Sequence, residues 1–425
     1  MATTARDRIL TLDTVRGVAV MGILLLNIIA FAMPPAAYMN PRAYGGSEGL
    51  DLAVWLSNFI FFDGKMRGLF SFLFGASTLL VIDGATAKGE SAAKIHYARM
   101  IWLLVFGLLH CWLIWWGDIL NHYAIIGMLL FFFRNTSVKR LIGLGIVFLV
   151  LQQLVALAMF AGLEFSRAGL TNPNPESARQ AREAIEAFTL GFGVPSDTVI
   201  ADIVGTHRAG WLEIAVERFK TAASSPFDSL FMFGCETLAY MLFGMAAFRS
   251  GMLTGSWDRR RYLRWVAIGF GVGIPAYSAF AALIVSADFS MSSVVLGVIV
   301  LTIPVRPLMI LGWASLIILL MRPGGGLTTR IAAAGRMAFT NYLATSLICT
   351  TLFYGYGLGW YGELSRAEVY LVVFAIWALM LLWSKPWLER FAYGPLEWLW
   401  RSLARGSFQP MAGGALKRSV ANATQ

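Results

Sequence analysis

Charge is scarce in this chain. Only 14% of its 425 residues are Asp, Glu, Lys or Arg, against about a quarter in an ordinary soluble domain, which excludes that class. Cysteine is scarcer still, with Cys111, Cys235 and Cys349 the whole complement. All three lie inside apolar stretches and none forms a C-x-x-C pair, so no metal site is expected and free thiols packed like small apolar side chains are. The sequence also lacks a basic soluble region with exposed aromatics, so the net charge of +10 does not point to nucleic acid. A cleavable signal is missing too, because the first apolar stretch, from Leu12, is too long for one.

What the chain has is hydrophobic length. It is 58% hydrophobic and carries runs such as "LIGLGIVFLVLQQLVALAMF" and "VYLVVFAIWALMLLW". A membrane span needs about 20 apolar residues, so the fold class is all-α, a polytopic transmembrane helical bundle. Ten spans are expected, over residues 12–33, 52–83 (broken near Asp63), 100–116, 119–133, 141–163, 229–248, 265–286, 293–321, 337–357 and 367–384. Lys and Arg gather in alternate linkers, which places those linkers and both termini in the cytoplasm. The positive charge is then a topology signal and a contact for anionic lipid headgroups.

Four parts follow from this pattern. Residues 1–163 form an N-terminal membrane bundle and 229–388 a C-terminal one. Between them, 164–228 is polar, carries Pro175 where a helix would start, and alternates apolar and charged residues at helical spacing. It reads as an extracytoplasmic amphipathic cap or as a plain linker. Residues 389–425 hold a Trp-anchored interfacial helix and a loose tail.

Ionisable groups in hydrocarbon are expensive and usually face the bundle interior, where they pair or work. In "LDTVRGVAVMGILLLNIIAF", Asp13 and Arg16 share one helical face, and Asn27 lies about 21 Å beyond Asp13. In "FFDGKMRGLFSFLFGAS", Asp63, Lys65 and Arg67 imply either a broken helix lining a cavity or charges snorkelling at the interface. The stretch "GLLHCWLIWWGDILNHYAIIGM" forms two short helices whose turn at Gly117 and Asp118 falls below the outer surface. His110, Asp118, His122 and Tyr123 therefore line an outer-facing polar cavity, with Asp118 and His122 four apart on one face. A carboxylate beside an imidazole fixes its tautomer, as a buried general base requires. Arg336, Asn341 and Tyr342 recur at helical spacing in "GRMAFTNYLATSLICTTLFYG", while Glu236 and Arg306 are buried charges with partners the sequence does not name.

Together with "YGPLEWLWRSL", the first, third and fourth of these segments resemble the YeiB family of bacterial inner-membrane proteins, in order and along nearly the whole chain. That resemblance implies the bacterial inner membrane as location. The L-D-x-x-R-G opening is also similar to membrane acyltransferases of the heparan glucosaminide acetyltransferase type and to those that decorate bacterial surface sugars. Such enzymes take an acyl group from cytoplasmic acyl-CoA to an acceptor on the far side. The resemblance implies acyl-CoA as donor substrate, Arg16 on the donor side, and Asn27 at a position where one group keeps Asn and the other has His. It departs in the loop "PPAAYMNPRAYGGSEGLD", which holds no His where the glucosaminide enzymes carry their catalytic one.

The leading expectation is a transmembrane acyltransferase. His110 is its base, assisted by Asp118 or His122. Asn27, Asp63, Lys65, Tyr123 and Asn341 line the substrate cavity, with Asn27 or Asn341 facing the developing oxyanion, and Arg16, Arg99 and Arg336 hold CoA phosphates. The partners expected are membrane lipids, a small-molecule, sugar or lipid acceptor, and a second copy of the chain. The rival is a transporter of a small molecule or lipid without covalent chemistry, and a scaffold comes third.

Overall fold

The computed structural model describes residues 5–412. In chain order its helices are α1 (Ala5–Ala32), α2 (Ala36–Met39), α3 (Gly49–Ser57), α4 (Lys65–Ala87), α5 (Ala92–Leu113), α6 (Leu120–Leu130), α7 (Val138–Gly169), α8 (Pro175–Phe192) and α9 (Asp197–His207). They continue with α10 (Trp211–Ala222), α11 (Ser225–Arg249), α12 (Arg259–Ser286), α13 (Met291–Val294), α14 (Arg306–Leu320), α15 (Gly326–Arg336), α16 (Ala338–Phe353), α17 (Val369–Arg390) and α18 (Pro395–Arg405). Among the described residues the one extended pairing is an isolated bridge between Phe391 and Ala412. The fold is all-α. Most of the expected tail, residues 413–425, lies outside the described residues.

Among the described residues seven helical stretches are long and apolar enough to cross a membrane, or eight if the bent pair α8–α9 is one span. Three of the ten expected segments fall below that length. Leu120–Phe133 keeps its expected end, Ala338–Phe353 stops before residue 357, and the segment over 293–321 is broken into Met291–Val300 and Arg306–Leu320. The burial of the spans sorts them into two kinds. Most of α1 and α11 is enclosed, whereas α5, α7 and α12 turn most of their residues outward, as lipid-facing helices do.

Local sequence explains the ends. Ser91, Ser196 and Asp258 cap α5, α9 and α12 by accepting from the backbone N–H three residues on, and Asn174 caps α8 ahead of Pro175. Small residues set the closest crossings. A Cβ on Gly75 would lie 2.0 Å from Met241 O, and one on Gly244 1.9 Å from Phe72 O, so α4 and α11 meet backbone to backbone.

The stretch before α4 is broken. Asn58–Phe62 is wound as a π-helix, and Gly64 takes φ +68°, a conformation that glycine adopts without strain. The carbonyls released there are recovered by side chains, with Lys65 Nζ donating to Phe59 O at 2.6 Å and Trp313 Nε1 to Phe61 O at 2.8 Å. That recovery is what irregular backbone inside a membrane protein requires.

At one end of the bundle α18 lies across the helix starts. Glu397 accepts from the backbone N–H groups of Phe339 (2.8 Å) and Thr340 (3.0 Å), capping α16 from a distant part of the chain. Burial pushes this carboxyl above its ordinary value, and the Thr340 hydroxyl and backbone donors oppose that rise. At the opposite end α10 sits on α5. Trp211 Nε1 donates to Leu113 O at 2.7 Å, and Arg218 reaches Trp112 O at 3.1 Å, so a cation meets the last carbonyls of α5.

Candidate functional site

The α5–α6 hairpin places its polar residues by tight packing. A Cβ on Gly107 would lie 2.2 Å from Asn121 N and 2.9 Å from Asp118 Oδ2, so only glycine lets the two helices close. Asp118 caps the start of α6 by accepting from Asn121 N at 2.8 Å and from Asn121 Nδ2 at 2.9 Å, both on Oδ2. Its other oxygen, Oδ1, stands 2.7 Å from His110 Nδ1. A carboxylate only accepts, so Nδ1 carries a proton towards Asp118, and in the neutral ring Nε2 then presents a lone pair.

His110 is 1% exposed, and its Nε2 has no hydrogen-bond partner among the described residues. Rings surround it, with Tyr342 at 5.5 Å and Trp115 at 6.3 Å between centroids. Tyr342 OH, Trp115 Nε1 and Asn121 Oδ1 are likewise buried and unpartnered. Buried polar atoms are nearly always bonded, so a cluster of four exceptions marks a place where hydrogen-bonding capacity is left for something else. Trp115 is fixed in turn by stacking on Phe31 of α1 at 3.8 Å.

His122 does not join this group. Its Nε2 lies 2.9 Å from Thr237 Oγ1 and its Nδ1 3.2 Å from Ser229 Oγ, so it bridges α6 to α11, and of the two histidines it is His110 that Asp118 bonds. Tyr123 packs the same way: its hydroxyl is 2.8 Å from Ser71 Oγ and donates to Arg67 O at 3.1 Å.

A second buried constellation lies among α4, α11 and α14. Glu236 accepts from Arg67 Nη2 at 2.6 Å, from Tyr240 OH at 2.8 Å and from Arg306 Nη1. Asp63 accepts from Tyr38 OH at 3.2 Å and lines a cavity of about 30 Å³ with Asn58, Tyr38 and Arg366. Lys65 does not reach that cavity. It is wholly buried, with its ammonium on Phe59 O and 3.1 Å from the centre of the Tyr277 ring.

The remaining expected residues are dispersed. Asn27 is half-buried on α1. Asn341 donates to Ala334 O and Ser384 Oγ and accepts from Trp383 Nε1 at 3.0 Å, so it ties helices together and does not face His110. Arg16 bonds Asp13 at 2.9 Å and Ser77 at 2.8 Å, Arg99 stacks 3.9 Å from the Trp400 ring, and Arg336 donates to Ala392 O at 3.3 Å. All three arginines lie towards the α18 end. Trp115 and Tyr342 were not expected around His110, whereas Asn121 is one of the polar residues of the hairpin read as lining its cavity. Asn121 and Trp115 lie inside the hairpin motif, but nothing in the spacing of Tyr342 ties it to that motif.

The geometry defines a polytopic helical membrane protein with a buried His–Asp pair at one end and an interior charge cluster. Residues 247–407 match the family described as "Protein of unknown function (DUF418)". The chain is 34% identical over 416 residues to the uncharacterized protein YeiB of Escherichia coli (strain K12), covering 93% of this chain and 96% of that protein. It is 31% identical over 432 residues to the uncharacterized protein YxaH of Bacillus subtilis (strain 168), covering 96% and 97%. The chain belongs to the YeiB family. No solved structure matches it.

Proposed function

We propose that this protein is a membrane-embedded acyltransferase with His110 as general base. The observation that carries the reading is the His110–Asp118 pair, buried and held at 2.7 Å, with Nε2 unpartnered. In the reaction Nε2 takes the proton of an acceptor hydroxyl or amine, whose oxygen or nitrogen attacks the thioester carbonyl carbon. The carbon–sulfur bond breaks, and the CoA sulfur leaves with the proton returned by the imidazolium. Asp118 keeps the ring in the productive tautomer throughout. Tyr342 OH and Trp115 Nε1, both donors, are at hand for the developing oxyanion.

The donor enters from the α18 end, taken as cytoplasmic from its arginines, in a bacterial inner membrane with both termini inside. Arg99 stands about 16 Å from His110 along α5, a distance the extended pantetheine arm of CoA spans. Purified protein given acyl-CoA of several chain lengths should release free thiol, and Asp118→Asn should slow that release while leaving acyl-CoA binding intact. Absence of acyl-CoA binding at every chain length would sink the reading. The helix breaks beside Asp63 and Arg306 favour a second one, a transporter that binds its substrate at mid-bundle without covalent chemistry.

A further inference from the structure

We infer that the Arg67–Glu236–Arg306 node binds the anionic group, carboxylate or phosphate, of a small molecule or lipid. The inference goes beyond acyl transfer and stands without it. One carboxylate faces two guanidiniums here, so the node carries an excess of one positive charge inside the bundle. Asp63 makes no ion pair with either arginine, its side-chain partner being the Tyr38 hydroxyl. A buried uncompensated charge is strongly unfavourable, and a bound anion removes it.

The hydrogen-bond pattern points the same way. Arg67 Nη1 is a buried donor without an acceptor among the described residues. A guanidinium fork with an unused N–H suits a carboxylate or phosphate oxygen, and Arg is the residue that recognises such groups in pairs of bonds. Of the three side chains Arg67 is the most exposed. The side chains of Glu236 and Arg306 are 1% and 7% exposed, whereas that of Arg67 is 23% exposed.

Hydroxyl and imidazole groups of α6 and α11 lie on the same helix as Glu236 or packed against it. Ser229, His122 and Thr237 are joined by hydrogen bonds, and Ser229 lies about 10 Å from Glu236 along α11. The Phe233 ring lies 5.1 Å from the Arg67 guanidinium.

The test uses the full chain in a neutral, phosphate-free detergent. Thermal unfolding is followed while inorganic phosphate, then acetate, is titrated, with chloride at equal ionic strength as control. A saturable rise in Tm with phosphate or acetate, absent with chloride and weakened about tenfold or more in Arg67→Lys, is the expected result. Mass spectrometry of lipids retained through purification separates the sources: a phospholipid held by the wild type and lost from Arg67→Lys assigns the anion to a headgroup, and the site stands. If Arg67→Lys does not fold, Phe233→Glu supplies a tethered carboxylate and should abolish the response. No saturable response together with no retained lipid overturns the inference, as does a response undiminished in either variant.

Discussion

His110 and His122 sit on the same hairpin, are each 1% exposed, and are both flanked by aromatic rings. They differ in their hydrogen bonds. His122 has a hydroxyl against each ring nitrogen and ties α6 to α11, while His110 has a carboxylate on Nδ1 and no hydrogen-bond partner on Nε2 among the described residues. Residue type and burial are the same for the two, so neither separates a working side chain from a holding one. What separates them is whether the second nitrogen is occupied, because an imidazole moves a proton only through a nitrogen that substrate can reach.

The comparison can be broken at several points. The largest effect is expected from His110→Gln, which should lower acyl-CoA turnover by about 10²–10⁴-fold, the usual contribution of a general base, with the folded yield retained; thiol release by purified protein reads it. Glu236→Leu leaves two buried arginines uncompensated and should cost about 3–5 kcal/mol, measured as a lowered unfolding midpoint. Gly107→Ala drives a methyl into the Asn121 backbone and should cost about 1–3 kcal/mol, along with turnover, since it pushes Asp118 from His110. The smallest effect should come from His122→Gln, which loses about 1–2 kcal/mol of hydrogen bonding and leaves turnover within a few-fold of wild type.

The sequence showed the fold class well and its depth poorly. Apolar length alone locates α1, α7, α12 and α17, because a long run without charges has few other solutions. The short α6 was legible from its run length, whereas the break ahead of α14 and the early end of α16 were not, because helices packed within the protein need not match a bilayer thickness. At the site, His110 and Asp118 were legible because both lie in one hairpin motif. The pairing of Asp118 with His110, and not with His122 one turn away, depends on the closeness that Gly107 permits between two helices. Helical spacing within one segment carries no such information. For the same reason Glu236, Arg67 and Arg306 each stood out as buried charges, yet their union across three helices is a tertiary fact.

The most direct test compares His110→Gln with His122→Gln in one acyl-CoA turnover assay, with the unfolding midpoint of each recorded beside it. The account predicts a folded but inactive His110 variant and a less stable but active His122 variant. Equal losses of turnover in both, or an active His110 variant, would contradict it.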